Sequence, residues 1–264
     1  MPSQTERVAF GEDPGRWPLP TPATDDELWL CAVAAGGQGR YAAARSRLTE
    51  LAIREPMGRL GSLALSTHAS FLRQLGWHQR ARGWDGRAWA RAGGDPEAGV
   101  DALIGLAADA LGVGRLALSA ALLTRAAGLL ASADAPPQRL AIRLEWVRAE
   151  LAMACSDGSS AVSFARRGVE LAEQALPALR RHRVKSDIVL AAALCCSGDT
   201  AGAGAVADAV LPATERWGLV PLRWAVSCLL ADIGSAVLTP GAVSDIRDRS
   251  AAFVVRHGGR WNRR

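Results

Sequence analysis

The sequence predicts an all-α protein, an α–α superhelix of about six antiparallel helix pairs, and three observations support this prediction. Alanine, leucine and arginine, which favour helices, dominate the chain, whereas the β-branched residues that build sheets are sparse. Apolar residues recur with the helical period and are interrupted by short breaks containing Gly, Pro or Ser. The resulting helix–turn–helix units follow one another at intervals typical of helical repeat proteins.

The helical part begins after a proline-rich arm. Residues 1–24 contain five prolines and two glycines, a composition that predicts an extended, disordered arm. Thr24, followed by three acidic residues, predicts a capped helix start at Asp25. The helices expected beyond it, in successive pairs, are 25–36 with 40–54, 59–75 with 77–92, 96–112 with 114–131, 137–155 with 159–175, 177–196 with 200–217, and 220–236 with 240–257. The predicted organisation is therefore the arm, a helical repeat domain over 25–257 and a basic tail over 258–264.

Small residues mark the places where the paired helices should meet. Glycines at near-regular spacing are predicted to form the turns within the first five pairs: Gly39, Gly76, Gly114, Gly158 and Gly198. The residue five positions after each glycine is small, which lets antiparallel helices approach closely: Ala44, Ala81, Ser119, Ser163 and Ala203. The matching first-helix positions hold Ala32, Ala69, Ala107 and Ala191. Leu151 departs from this pattern, and the fourth pair is predicted to be shifted by about two residues.

One segment carries a family resemblance. The stretch GGQGRYAAARSRLTELAIREP resembles the second half of a tetratricopeptide-repeat (TPR) unit, with Gly39 at the turn, Ala44 at the helix crossing and Pro56 at the end. The chain is thus similar to TPR proteins over roughly 25–257, with one well-matched unit and four degenerate ones. The resemblance implies a superhelix in which the first helix of each pair lines a concave face.

The same resemblance implies a function and a set of groove residues. A TPR-like array is expected to act as a non-enzymatic scaffold or adaptor, here with a regulatory role, that binds a protein or peptide partner. The groove positions that the resemblance implies are Trp29, Ser66, Ser70, Arg73, Glu145, Arg148 and Lys185. Arginines, small hydroxyls and one aromatic ring in a groove suit an extended peptide with an acidic residue or a free carboxylate.

No residue pattern predicts an enzyme, a cofactor or a metal ion. The four histidines are scattered without a second ligand at metal spacing, and no nucleophile motif is present. Two of the three GxGxxA stretches follow predicted helices and the third lies inside one, whereas a dinucleotide site needs a preceding strand. The five cysteines lack CxxC spacing, and we expect buried free thiols in a reducing compartment. With no apolar run of membrane-spanning length and no secretory signal, the expected location is the cytoplasm, without a membrane partner.

Basic segments keep an alternative function open. Arginines interleave with Trp77, Trp84 and Trp89, and the chain ends with arginines around Trp261. Arginine beside aromatic rings can follow phosphates and stack on bases, so the alternative is a nucleic-acid-associated or transcription-related regulator. The competing interpretation is a buried tryptophan stripe and a tail that only solubilises the chain. The basic cluster 180–185 opens a helix, where positive charge opposes the helix dipole, which indicates that it faces something acidic.

Overall fold

The computed structural model describes residues 2–262, and this part of the chain contains thirteen α-helices and no β-strand. A short helix, α1 (Gln4–Ala9), precedes six helix pairs. The pairs are α2 (Asp25–Gly37) with α3 (Tyr41–Arg54), α4 (Gly58–Gln74) with α5 (His78–Arg91), α6 (Pro96–Gly112) with α7 (Leu116–Ser132), α8 (Gln138–Ala154) with α9 (Gly158–Gln174), α10 (Arg180–Cys196) with α11 (Thr200–Arg216), and α12 (Val220–Ile233) with α13 (Pro240–Arg256). Consecutive helices pack along the whole array, so the fold is an α–α superhelix, as predicted. Residues 1, 263 and 264, where the ends of the predicted arm and tail fall, lie outside the described residues.

The helix boundaries lie close to the predicted ones. The largest differences are at α10, which begins at Arg180 instead of 177, and at α12, which ends at Ile233 instead of 236. Helix α12 ends early because Gly234 has a φ of +88°, the left-handed conformation that stops a helix. At the predicted start of α2, the Thr24 hydroxyl accepts a hydrogen bond from the Glu27 backbone N–H at 3.2 Å.

The turn within each of the first five pairs depends on a residue with positive φ. Four of the five predicted glycines take this conformation: Gly39, Gly76, Gly114 and Gly198, with φ of +79°, +85°, +77° and +89°. In the fourth pair the corresponding residue is Ser156, with φ of +59°, which lies two positions before Gly158. The predicted shift of the fourth pair by two residues is therefore confirmed at its turn.

Small side chains fill the crossings between paired helices. Four of the five predicted second-helix positions are fully buried: Ala44, Ala81, Ser119 and Ala203. In the fourth pair Ser163 is exposed, and Ala161, two residues earlier, is buried at the crossing. Likewise Leu151 is only half-buried, whereas Ala149 is fully buried. The close approach of the helices thus follows the small residues, and the same two-residue shift explains both departures.

The array turns back on itself, so that its end contacts its beginning. Val254 of α13 belongs to the same apolar core as residues of α2 and α3. The Ala42 backbone N–H donates a hydrogen bond to the His257 carbonyl at 2.8 Å, and Arg45 donates to the Gly258 carbonyl at 3.0 Å. The six first helices therefore surround a central space, and the concave face is enclosed.

Residues 258–262 belong to this closure, which corrects the expectation of a basic tail. Asn262 donates two hydrogen bonds to the α4–α5 turn, one from its backbone N–H to the Leu75 carbonyl at 2.8 Å and one from its side-chain amide to the Gly76 carbonyl at 3.0 Å. The ring of Trp261 lies against that of Trp224, with centroids 4.2 Å apart. The segment joins the last helix pair to the second one.

The N-terminal arm is also packed on the helices, which corrects the expectation of an extended, disordered segment. Helix α1 begins with a capping box and buries Val8 and Ala9, each 1% exposed, in the core beside α2. The Gln38 side-chain amide then donates hydrogen bonds to the carbonyls of Pro14 at 2.9 Å and Arg16 at 3.0 Å. The prolines do prevent a helix beyond α1, but hydrogen bonds from Gln38, the residue after α2, fix the chain there.

Candidate functional site

The central space contains a cavity of about 370 Å³, here called the inner cavity. The first helices of all six pairs contribute to its wall, together with Phe10 and His78. A wider groove of about 1150 Å³ runs between α1 and the loops that precede α8 and α10. Phe10, Trp29 and Arg139 line both spaces, so they form the boundary between the groove and the inner cavity.

Aromatic rings form part of the apolar wall. Phe10 lies against Trp29 and His182, with ring centroids 5.7 Å and 5.8 Å apart. Trp146 stacks on His182 with centroids 5.3 Å apart, and its Nε1 donates a hydrogen bond to the Ser186 hydroxyl at 2.8 Å. Rings fixed in this way offer a rigid apolar surface to a ligand.

Asp101 of α6 is a buried carboxylate that holds two arginines of α8. Its Oδ1 accepts hydrogen bonds from Arg139 at 3.1 Å and from Arg143 at 2.6 Å, and its Oδ2 accepts one from the Ser66 hydroxyl at 2.6 Å. Arg139 also pairs with Glu97 at 2.6 Å. Burial raises the pKa of Asp101, but the charges of Arg143 and Arg139 and the hydrogen bonds outweigh burial and hold this pKa below its usual range.

Arg73 of α4 lines the inner cavity, and its guanidinium forms ion pairs with two carboxylates. It pairs with Asp85 of α5, and with Asp109 of α6 at 3.2 Å, and both acids are fully buried. Burial raises the pKa of both carboxyl groups. Arg73 therefore ties three helices together through buried charge, and its guanidinium is already committed to that task.

Arg181 of α10 is a cavity cation without a partner. Among residues 2–262, no carboxylate lies within 4.0 Å of its guanidinium and no side chain or backbone carbonyl accepts a hydrogen bond from it. Burial, followed by the charge of Arg143, lowers the pKa of Arg181 to about 10. The adjacent His182 is 3% exposed, its Nδ1 lacks a hydrogen-bond partner in the same part of the chain, and burial and Arg181 hold its pKa well below the usual range. His182 is therefore neutral at physiological pH.

The structure brings five of the seven predicted groove residues to the cavity or directly behind it. Trp29, Ser70, Arg73 and Lys185 line the inner cavity. Lys185 is also ion-paired, to Glu150 of α8 at 3.1 Å. Ser66 lies behind the wall, 1% exposed, where it supports Asp101.

Glu145 and Arg148 do not line the cavity, which corrects their assignment to the groove. They pair with each other at 2.8 Å, and the Arg148 guanidinium lies 5.8 Å from the ring centroid of Phe164 on α9. The two-residue shift of the fourth pair accounts for the error, because the residues two positions earlier are Arg143 and Trp146, and both line the cavity. The groove positions were thus placed on the wrong face of α8.

The sequence did contain a signal for the missed residues. Arg139, Arg143, Trp146 and Glu150 follow one another at spacings of four, three and four, which places them on one helix face. Arg181 lies four residues before Lys185 in the basic cluster and shares its face. A polar stripe of helical period on a first helix marks the inner cavity.

The arginine–tryptophan segment is engaged within the protein. Arg87 lies over the ring of Trp84 at 4.1 Å, and Arg125 lies over that of Trp89 at 4.4 Å. Trp77 Nε1 donates a hydrogen bond of 2.6 Å to a backbone carbonyl of the C-terminal segment. These rings already pack on guanidinium groups or backbone of the same chain, so they do not form a row of open platforms for bases.

The cysteines differ from the expectation of buried thiols. All five are free, but only Cys31 is buried, and Cys155 and Cys196 are exposed. Within residues 2–262, no group of three or more His, Cys, Asp or Glu side chains has an arrangement that could hold a metal ion. No helix of the same region is both long and apolar enough to cross a membrane.

Comparison with known proteins found no relative, because no family model and no curated protein matches this chain.

Proposed function

We propose that this chain is a non-enzymatic, cytoplasmic binding protein, a TPR-like scaffold or adaptor with a regulatory role, that recognises a protein or peptide partner through the inner face of its helical ring. The observation that supports this proposal is a cation on that face that has no anionic partner in the described part of the chain. Arg181 has no anionic partner among the described residues, and Arg143 shares the Asp101 carboxylate with Arg139. An acidic side chain or a free carboxylate of the partner supplies the missing negative charge.

The state of the wall residues favours binding over catalysis. Asp101, Glu150 and Lys185 are held in ion pairs, and a carboxylate whose pKa is lowered does not take up a proton at neutral pH. His182 stacks on Trp146 and has no carboxylate partner in the described part of the chain that would orient it as a base. Cations beside rigid aromatic rings suit the recognition of an anionic group with an apolar neighbour.

Access to the inner face runs through the wider groove beside α1. This groove is bounded by α1, by the starts of α2, α4, α6 and α8, and by the loop before α10. The boundary residues Phe10, Trp29 and Arg139 line both this groove and the inner cavity. The partner chain lies in the groove, and its acidic group enters the cavity.

The proposal is tested by affinity capture with the full-length chain, the Arg181→Glu variant and a matched control. Arg166 on α9 is exposed and makes no ion pair within residues 2–262, so Arg166→Glu changes the same charge on the outer surface. We expect a partner in the lysate that binds the wild type and Arg166→Glu and is lost with Arg181→Glu. Circular dichroism of each variant confirms that it is folded. Equal capture by all three proteins would place the interaction outside the inner face.

Nuclease treatment of the same lysate tests the alternative function. If the captured proteins disappear after nuclease treatment and the chain retains nucleic acid whose binding weakens steeply with salt, the nucleic-acid-associated regulator replaces the scaffold. If capture is unaffected by nuclease, the alternative is excluded for those partners.

A further inference from the structure

We infer that the inner cavity is a binding site for a small organic anion, whose charged group lies between Arg181, Arg143 and His182 and whose apolar, ring-bearing body packs on the aromatic wall. This inference rests on the proposed role of the inner face as the recognition surface, and it narrows the chemistry of the ligand. Carboxylates and phosphate monoesters share that chemistry. The experiment below separates a free anion from the end of a partner peptide.

The first argument is the balance of charge in the cavity wall. Five cations line the cavity, namely Arg73, Arg139, Arg143, Arg181 and Lys185. Four of them reach a carboxylate within 4.0 Å: Arg73 reaches Asp85 and Asp109, Arg139 and Arg143 reach Asp101, and Lys185 reaches Glu150. Arginine stays protonated in proteins, so the charge of Arg181 remains in place without a counterion from residues 2–262. Arg181 is half-buried, and a charge partly removed from water is stabilised by an anion that forms hydrogen bonds with it.

The second argument is the arrangement of donors around Arg181. The neutral His182 next to it has an unpartnered Nδ1 and is 97% removed from solvent, since 3% of its surface is exposed. Arg143 lines the same cavity as Arg181, and only its Nη1 is engaged, by Asp101. Two guanidinium groups that line the same cavity can bind a carboxylate or phosphate group with several hydrogen bonds at once.

The third argument is size and closure. A volume of about 370 Å³ lies within the range of small-molecule sites in proteins. The C-terminal segment closes the ring around this space, because Asn262 bonds to the α4–α5 turn and Trp261 packs on Trp224 of the cavity wall. Trp146, stacked on His182, offers a ring face directly beside the cationic site. The space therefore fits one anionic group and one ring.

The test is isothermal titration calorimetry of the full-length chain with four probes at low salt. Benzoate and phenyl phosphate carry a ring and an anion, benzyl alcohol carries the ring without charge, and a tripeptide ending in phenylalanine carries the carboxylate on a peptide. We expect one saturable site per chain for at least one of the two small anions and no binding of benzyl alcohol. Arg181→Met and Arg143→Met should each weaken the small anion roughly tenfold or more, because each removes a charged hydrogen bond. Arg166→Met, on the outer surface, should bind like the wild type.

The competing outcomes are distinct. No saturable binding of either small anion, or unchanged binding by Arg181→Met, overturns the inference. Tighter binding of the tripeptide than of both small anions also overturns it and assigns the site to the end of a partner. If calorimetry supports the small anion while Arg181→Glu captures every partner of the wild type, the proposed scaffold function of the inner face fails and the anion site stands.

Discussion

An unpaired arginine that binds a ligand should destabilise the folded protein when the ligand is absent, and the free energy of unfolding measures this effect. In the folded chain, burial and the charge of Arg143 lower the pKa of Arg181 to about 10, well below its usual range. Each tenfold change in an ionisation constant corresponds to about 1.4 kcal/mol, so the charged form costs up to about 3 kcal/mol of folding free energy. Water in the cavity screens part of this cost. Arg181→Met keeps the length of the side chain and removes the charge, so the free energy of unfolding should rise by roughly 1 to 3 kcal/mol.

The sign of the effect follows from linkage. A base whose pKa is lower in the folded state than in the unfolded state destabilises the fold wherever both states are protonated, which includes pH 7. The gain from Arg181→Met should therefore be constant around neutral pH and should begin to shrink only as pH rises above about 10, where the folded state loses its proton before the unfolded state does.

Arg73→Met should have the opposite effect to Arg181→Met, because it leaves the fully buried Asp85 and Asp109 without their cation. It should lower the free energy of unfolding by roughly 3 to 5 kcal/mol. Urea denaturation followed by circular dichroism measures both variants. A loss of stability in Arg181→Met would show that the guanidinium has a partner in the folded protein, and would refute this reasoning.

Three further predictions concern the fold around the cavity. Trp261→Ala should lower the free energy of unfolding by roughly 2 to 3 kcal/mol, because it removes a half-buried indole and its contact with Trp224. An unchanged urea midpoint would mean that the ring of helices is open in solution. Gly61→Ala should destabilise the protein by roughly 1 to 3 kcal/mol, because a Cβ there would lie 2.5 Å from the Glu55 carbonyl oxygen. Gly128→Ala in α7 has open space around it and should stabilise the protein by roughly 0.5 to 1 kcal/mol. A change of the same sign in both variants would contradict the close approach of the backbone at Gly61. Asp101→Asn should lower the free energy of unfolding by roughly 3 kcal/mol at pH 7. The difference from the wild type should shrink as pH falls below about 4, because a carboxylate with a lowered pKa stabilises the fold only while it is ionised. A difference that does not depend on pH would show that the lost stability does not come from the charge.

The candidate site was only partly predictable from the chain. Trp29, Ser70, Arg73 and Lys185 were placed on the cavity wall because their helices keep the regular register. Glu145 and Arg148 were misplaced because the fourth pair is shifted by two residues, and two positions correspond to about 200° around an α-helix. The turn at Ser156 carries this shift, which was predicted for the fourth pair but was not applied when the groove positions were assigned.

What the sequence determined by itself was local: helix type, helix bounds and the small residues at the crossings, since these depend on propensity, period and turn conformation within a few residues. The closure of the array into a ring was decided by tertiary structure, because contacts such as that of Arg45 with the Gly258 carbonyl join residues that are 213 positions apart and leave no periodic pattern. The same holds for charge pairing. Sequence supplies five cavity cations, but only the packing of α4, α6, α8 and α10 shows that four have carboxylates and that Arg181 has none within residues 2–262.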